Sequence, residues 1–469
     1  MKRGLPLLLL LLLPAAHAQT RSMADDIRAG RAALEAGQPQ QARDLFGAAL
    51  AHPNGRRDDA FAAAMGLGRA SLWLGDHAAA ARAFGIARTQ ASDVAGREAA
   101  DSGLAQVLNA QDYPRKAFAL AAPFARGQAA PTLQLMQAMQ SLGWQDKSPP
   151  YLEAMAGQPA EQPGSRYRLL QDDMRYALAP RVEAGFDFSH DSEKLDTWRT
   201  DAAWHSAPRA SGRQTLAWGV AIGTVRVDDP QRQRRLDDAA LLGQLRAGDD
   251  HYIDLRLGLG RSGGWQYLQG DARWTMQASD SFSVSAAAER TPLLTDAAIE
   301  RRLLGNTYSI AASLRPATAW YVIPTYYRQS FSDGNHRDGG TLRVLLSPRD
   351  IPDTAAAIGA QLSTRIYHSS QPSRGVYFNP AGYRAVQAGV IGVYGISPGW
   401  KLRATADVGT QTIDGMHAGI YSWQASLDGR LPHNGRVAFQ LGRSSAASDS
   451  SGGAGYWNNS LTVSISYPL

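Results

Sequence analysis

From Pro180 to the C-terminus, apolar side chains recur at every second position, with polar or charged residues between them. Ile253, Leu255, Leu257 and Leu259 alternate with Tyr252, Asp254 and Arg256, and Leu402, Ala404, Ala406 and Val408 alternate with Lys401, Arg403, Thr405 and Asp407. Period two puts the two sets on opposite faces of an extended strand, one greasy and one wet. The last stretch does the same: Trp457, Leu461, Val463, Ile465, Tyr467 and Leu469 share one parity, while Asn458, Ser460, Thr462, Ser464 and Ser466 share the other with period two. Many such strands in succession must hide their apolar faces against a second sheet or in lipid.

The connections separate these two outcomes. Turn-forming clusters divide the region into roughly sixteen segments of ten to fifteen residues, long enough to cross an outer membrane at a tilt. Short connections follow the even-numbered segments, at residues 208–212, 248–250, 280–281, 315–317, 348–353, 397–399 and 432–435. Connections after odd-numbered segments are more often long and polar, as at 370–382 and 444–453. A soluble sandwich lacks this long-short rhythm, and its core would be dry, whereas these strands carry Arg, Asp, Gln and Ser opposite the apolar face. Trp198, Trp204, Trp218, Trp265, Trp320, Trp400, Trp423 and Trp457 fall mostly near segment ends, where interfacial girdles belong. Beyond the leader no run of about eighteen apolar residues occurs, so any membrane passage has to use strands.

The N-terminus reads as a secretory leader, residues 1–18: Lys2 and Arg3, the apolar run from Leu7 to Leu13, then Ala16-His17-Ala18. Gln19 rather than Cys follows, so the expected mature chain starts free in the periplasm without a lipid anchor. The absence of cysteine removes thiol catalysis, thiolate metal sites and disulfides together. A net charge of +6, spread over scattered arginines, gives no basic block and no reason to expect nucleic acid.

Residues 23–178 are rich in Ala, Leu, Gln and Arg, good helix formers. Gly30, Gly37, Ala42, Phe46 and Ala49, followed by Pro53, are repeated in spacing by Gly68, Gly75, Ala80, Phe84 and Ala87. Small residues at fixed intervals let paired helices cross closely while Phe fills the groove, so the pattern looks like tetratricopeptide repeats stacked as an α-solenoid. A degenerate third copy surrounds Ala105, Asp112 and Ala117, a fourth helix pair is expected over 132–155, broken at Pro149-Pro150, and one more helix over 166–177. The expected fold is therefore an N-terminal tetratricopeptide-like α-solenoid followed, over 180–469, by a transmembrane antiparallel β-barrel of about sixteen strands.

In layout the chain resembles the exopolysaccharide export porins of Gram-negative bacteria, namely the poly-N-acetylglucosamine exporter and the barrel of the cellulose-export subunit. The local matches are Phe331-Ser332-Asp333-Gly334-Asn335 with Arg337, and Tyr377-Phe378-Asn379-Pro380 followed by Tyr383. The resemblance implies an outer-membrane porin that passes a secreted biofilm polysaccharide, with periplasmic helices binding glycan or periplasmic or inner-membrane synthase components. The helical part is shorter here than the family's superhelix, which leaves out an implied dock for a glycan-modifying enzyme. The alternative is an outer-membrane receptor or assembly scaffold whose barrel is chiefly an anchor in outer-membrane lipid.

Polymer passage calls for aromatic surfaces on which sugar rings slide and polar groups that exchange hydrogen bonds. The wet parity supplies Tyr252, Tyr267, Tyr327 and Tyr367 as aromatic candidates for the pore wall. Its basic members are Arg256, Arg273, Arg343, Arg365, Arg403 and Arg430, its acidic ones Asp254, Asp271, Asp407 and Asp428, and Asn458 comes from the closing strand. Each of these residues has the alternative role of hydrating and bracing the wall. With both signs present, the charge of the polymer stays open. No catalytic, cofactor or metal site is expected. Residues 258–264 match GxGxxG and GxSxG, but Trp265 starts another alternating strand where those patterns need a helix.

Overall fold

The computed structural model describes residues 22–469 apart from 54, 126–128, 156–165, 231, 348–355, 373–374, 449–451 and 454. The leader and the 348–353 turn thus lie outside the described residues. The chain forms two compact units, one up to Val107 and one from Leu108 to Leu469. The first contains α1 (Met23–Glu35), α2 (Pro39–Leu50), α3 (Arg57–Trp73), α4 (His77–Gln90) and most of α5 (Val94–Ala110).

Local chemistry sets these helix ends. Ser22 caps α1 by accepting from the Asp25 N–H (3.2 Å), Asp76 caps α4 by accepting from the Ala79 N–H (2.9 Å), and Pro39 opens α2. Gly37 (φ +71°) and Gly75 (φ +73°) end α1 and α3 in the left-handed conformation. The next N–H then reaches back five residues, Gln38 to the Ala33 carbonyl (2.8 Å) and Asp76 to that of Ser71 (2.9 Å). Phe46 and Phe84 fill the grooves between successive hairpins. A Cβ on Gly30 would lie 2.9 Å from the Phe46 ring and one on Gly68 2.7 Å from that of Phe84, so these glycines are what let the helices close on the rings.

The second unit continues with α6 (Pro114–Ala121), α7 (Ala129–Leu142), α8 (Pro149–Met155) and α9 (Arg166–Leu178). The same hairpin turn recurs at Asp112 (φ +57°) and Gly143 (φ +69°), with Tyr113 N–H bonded to Leu108 O (2.7 Å) and Trp144 N–H to Met139 O (2.8 Å). Pro149 and Pro150, at the expected break in this helix pair, open its second helix, α8, where a missing N–H costs nothing.

The sheet begins with β1 (Arg181–Asp191), β2 (Asp196–His205), β3 (Arg209–Ser211), β4 (Gln214–Asp228), β5 (Gln233–Ala247), β6 (His251–Ser262), β7 (Trp265–Ser279) and β8 (Phe282–Pro292). It continues through β9 (Leu304–Leu314), β10 (Trp320–Phe331), β11 (His336–Leu346), β12 (Ala356–Ser369), β13 (Gly382–Ser397), β14 (Trp400–Ile413), β15 (Met416–Arg430), β16 (Arg436–Ser444) and β17 (Asn458–Pro468). A short helix, α10 (Asp296–Glu300), lies between β8 and β9. Apart from β2 and β3, each strand pairs antiparallel with the next, and β1 pairs with both β2 and β17, which closes the barrel. β2 and β3 both pair with β4 and form one interrupted stave, so the staves number sixteen. The closing register sets Val182 opposite Tyr467 and Phe186 opposite Val463.

The apolar parity faces out. Ile222, Leu241, Leu257, Leu259, Ile358 and Val408 are exposed by 57% or more, as side chains on a lipid-facing surface are when no lipid is counted. Aromatics mark its edges, with Trp204 and Trp218 edge-to-face at 4.9 Å across β2 and β4. Trp265 departs from the expected girdle: it shares the parity of Tyr267, points inward and is buried against that ring at 4.4 Å.

Candidate functional site

The other parity of every strand faces a lumen, and it carries the candidate pore residues. Asp254, Asp271, Arg273, Arg343, Arg403 and Asp428 are exposed there. Asp254 stands opposite Arg273, and Arg256 opposite Asp271, on β6 and β7. Arg256 pairs with Asp238 across β5 (2.7 Å), while Asp407 accepts from Gln361 (2.7 Å) and Ser422 (3.3 Å). On the closing stave the lumen parity runs Asn458, Ser460, Thr462, Ser464 and Ser466, and Thr462 donates to Asp187 of β1 (2.7 Å). Water-exposed charges of both signs therefore line the middle of the barrel.

The end that holds the short turns is gripped by the helices of the same unit. Asp112 and Gln111 meet Arg315 after β9, and Asp112 also accepts from Tyr321 (3.0 Å). Arg115 pairs with Asp250 (2.6 Å) and donates to the Gln277 carbonyl (2.7 Å), while its own N–H donates to Asp280 (2.8 Å). Asp146 pairs with Arg246, Lys147 with Asp249, and the Trp144 indole donates to the Asp249 carbonyl (3.1 Å). On α9, Asp173 takes both Arg430 (2.7 Å) and Arg436, and the Tyr176 hydroxyl meets Ser466. Tyr252 and Arg430, two sequence candidates for the pore wall, are used in these contacts: the Tyr252 hydroxyl bonds Leu142 O and the Trp144 indole. Burial pushes the Asp249 carboxyl up, but Lys147, Arg246 and Arg213 outweigh it and hold it below the usual carboxylate range.

At the opposite end three long loops fold inward. The loop with α10 packs Ile299 against Val225, Val227, Leu236, Trp265 and Tyr267 of the inner wall, and Ala298 and Leu303 against Phe331 and Tyr377. Arg234 holds it through Asp296. Phe378 and Ala447, from the loops after β12 and β16, cover Tyr327, Tyr367 and Tyr383. Tyr267, Tyr327 and Tyr367 thus face inward but lie beneath loops, with exposures of 8% or less.

The two segments singled out by resemblance assemble here into one buried network. Asn335 donates to Tyr377 Oη (2.9 Å) and Asn379 Oδ1 (3.0 Å), and the Tyr377 hydroxyl donates to Asp333 (3.0 Å). Arg337, 1% exposed, donates to the Phe378 carbonyl (2.6 Å) and Gln329 (3.0 Å) and lies 4.4 Å over the Tyr367 ring. Arg365 approaches the same ring from 5.3 Å, and Tyr383 stacks on it at 4.9 Å. Burial above all, with Asp333 beside it, pushes the Tyr377 hydroxyl up to about 12, so it stays a donor at any physiological pH. Alternation could reveal the inward parity of these tyrosines but not the loops that cover them.

No protein-family model matches this sequence, and no curated protein matches it. Among solved structures, a bacterial polysaccharide outer membrane secretin aligns over 62% of this chain and 99% of its own, with TM-score 0.52 and 11% identity. The fold is that of an outer-membrane barrel. OccK7 (OpdD) of Pseudomonas aeruginosa aligns over 62% of this chain and 98% of its own (TM-score 0.34, 11% identity). The translocator domain of the autotransporter NalP from Neisseria meningitidis aligns over 62% and 88% (TM-score 0.27, 11% identity).

Proposed function

We propose that this protein is an outer-membrane porin through which a secreted polysaccharide of the biofilm matrix leaves the cell, its helices facing the periplasm. In this reading the helical hairpins, as tetratricopeptide-like repeats, receive the glycan or dock the machinery that synthesises it, and the chain acts by passage, not catalysis. The observation that carries it is the wall between the two ends: solvent-exposed Asp254, Asp271, Arg273, Arg343, Arg403 and Asp428 form a wet lumen, with loops latched over one mouth. Groups that hydrogen-bond readily and hold water suit a hydroxyl-rich polymer. The likeness of the barrel to a polysaccharide secretin points the same way.

The packed loops also favour a second reading, an anchored receptor or assembly scaffold. Planar-bilayer recording of the full-length protein separates them. The porin reading expects small or intermittent conductance from the native chain and large steady conductance from Arg337→Ala, with neutral oligosaccharides blocking the current from the helical side. A folded, inserted Arg337→Ala protein that stays silent supports the anchor.

A further inference from the structure

The outer surface of the barrel differs between its two ends. Among the described strand residues, the outward positions between the apolar band and the helical end carry one charged side chain, Arg209 of β3 opposite Leu216; the rest of that edge is built from residues such as Trp204, Trp218, Trp274, Trp320 and Trp400. At the loop end arginines stand in their place. Arg226, Arg235 and Arg261 occupy three consecutive strands, β4 to β6, each within three residues of the strand's loop end. Arg226 is directly opposite Arg235, a like-charged cross-strand pair that an unoccupied sheet disfavours. Among the described residues Asp237 is the single carboxylate level with them, shared by Arg235 (2.8 Å) and Arg261 (3.7 Å); Asp228 and, opposite it on β2, Asp196 lie two residues nearer the tip. The Arg235 and Arg261 side chains are 67% and 73% exposed.

The row continues around the barrel with Arg290, Arg328, Arg384 and Arg443 on β8, β10, β13 and β16, all facing out within four residues of the loop end, Arg328 being paired with Asp338 opposite it on β11 (3.7 Å). Aromatic residues sit beside several of them in register: Trp198 opposite Arg226, Tyr308 opposite Arg328, Trp423 opposite Arg443. Amphipathic rings mark the depth at which hydrocarbon gives way to headgroups, so the guanidinium groups lie at headgroup level. Guanidinium pairs bidentately with phosphate and lacks the tight hydration shell that keeps ammonium in water.

We infer that the loop-end belt binds the phosphate groups of a phosphorylated glycolipid in the surrounding leaflet, with Arg226, Arg235 and Arg261 as its principal site. The bound phosphate relieves the Arg226–Arg235 repulsion, and the charge asymmetry fixes which leaflet the loop end occupies. The assignment rests on the barrel spanning a membrane and is independent of what crosses the lumen.

The test is native mass spectrometry of the full-length protein in detergent with bisphosphorylated lipid A, with the same lipid dephosphorylated, and with millimolar inorganic phosphate as competitor. Retention of the bisphosphorylated lipid is expected to fall by about tenfold or more in the Arg226→Gln, Arg235→Gln, Arg261→Gln triple variant, the scale of lost charge-assisted contacts. The Arg273→Gln, Arg343→Gln, Arg403→Gln triple variant, lumen substitutions of equal charge change, is expected to retain it, and inorganic phosphate is expected not to displace it. Equal retention by the heat-modifiable, folded triple variant, equal binding of the dephosphorylated lipid, or displacement by free phosphate would each overturn the inference. A protein that fails to insert into vesicles at all would instead refute the membrane-spanning reading beneath it.

Discussion

Gly339 has no side chain because two tyrosines take its space. It stands opposite Tyr327 on one side and Tyr367 on the other, and a Cβ there would come within 2.5 Å of the Ile366 carbonyl oxygen, 2.6 Å of Tyr367 Cβ and 2.7 Å of the Tyr327 hydroxyl. Gly339→Ala is expected to cost about 1 to 3 kcal/mol by forcing those rings off their positions, read as a lowered midpoint in urea unfolding from lipid. An unchanged midpoint would mean that the rings move freely. Arg337 is the complementary case, a buried cation whose hydrogen bonds tie the loop after β12 to the wall. Arg337→Ala should cost about 2 to 3 kcal/mol of loop closure and, beyond its effect on conductance, raise hydrogen exchange at 376–379. Protection equal to the native chain would show that the apolar clusters alone hold the loop.

Among the elements, α9 and the turn residues 144–147 are held to the rim mainly by ion pairs. Asp173 serves two partly buried guanidinium groups, Arg430 and Arg436. Asp173→Ala leaves both without their carboxylate and is expected to loosen α9 by about 1 to 3 kcal/mol, seen as faster exchange over 166–178 with the barrel amides unchanged. The contact of Lys147 with Asp249 sets a pH dependence. Because the folded Asp249 titrates below its ordinary value, its contribution is present above that value and is lost as pH falls through the folded one. Exchange over 144–147 should therefore stay slow from neutrality to about pH 5 and rise as pH drops below the ordinary Asp value of about 3.9. Lys147→Ala should remove most of that step, and a step of the same size in the variant would place its origin elsewhere.

For the whole molecule, the facing of every stave can be checked from outside. Val463 lies midway along β17 on the outward parity, so Val463→Arg is expected to cost about 2 to 4 kcal/mol and to impair insertion. Normal heat-modifiable folding of that variant would contradict the facing. Alternation determined this parity, and the turn-forming clusters determined the sixteen staves, the side on which the short turns gather and the pairing of the last strand with the first. Each follows from a local rule: period two fixes the face, and an even number of crossings returns the chain to its starting end. The repeat spacing likewise located the helix hairpins, down to Asp112 in the turn position otherwise held by Gly37 and Gly75. Tertiary structure alone decided which wet-face residues meet water. Tyr267, Tyr327 and Tyr367 have the same alternation as Asp271 and Arg403, yet segments far away in sequence bury the first three and leave the other two in the lumen. Burial depends on what packs against a position, and the loops and helices that do so carry no period by which the sequence could announce their targets.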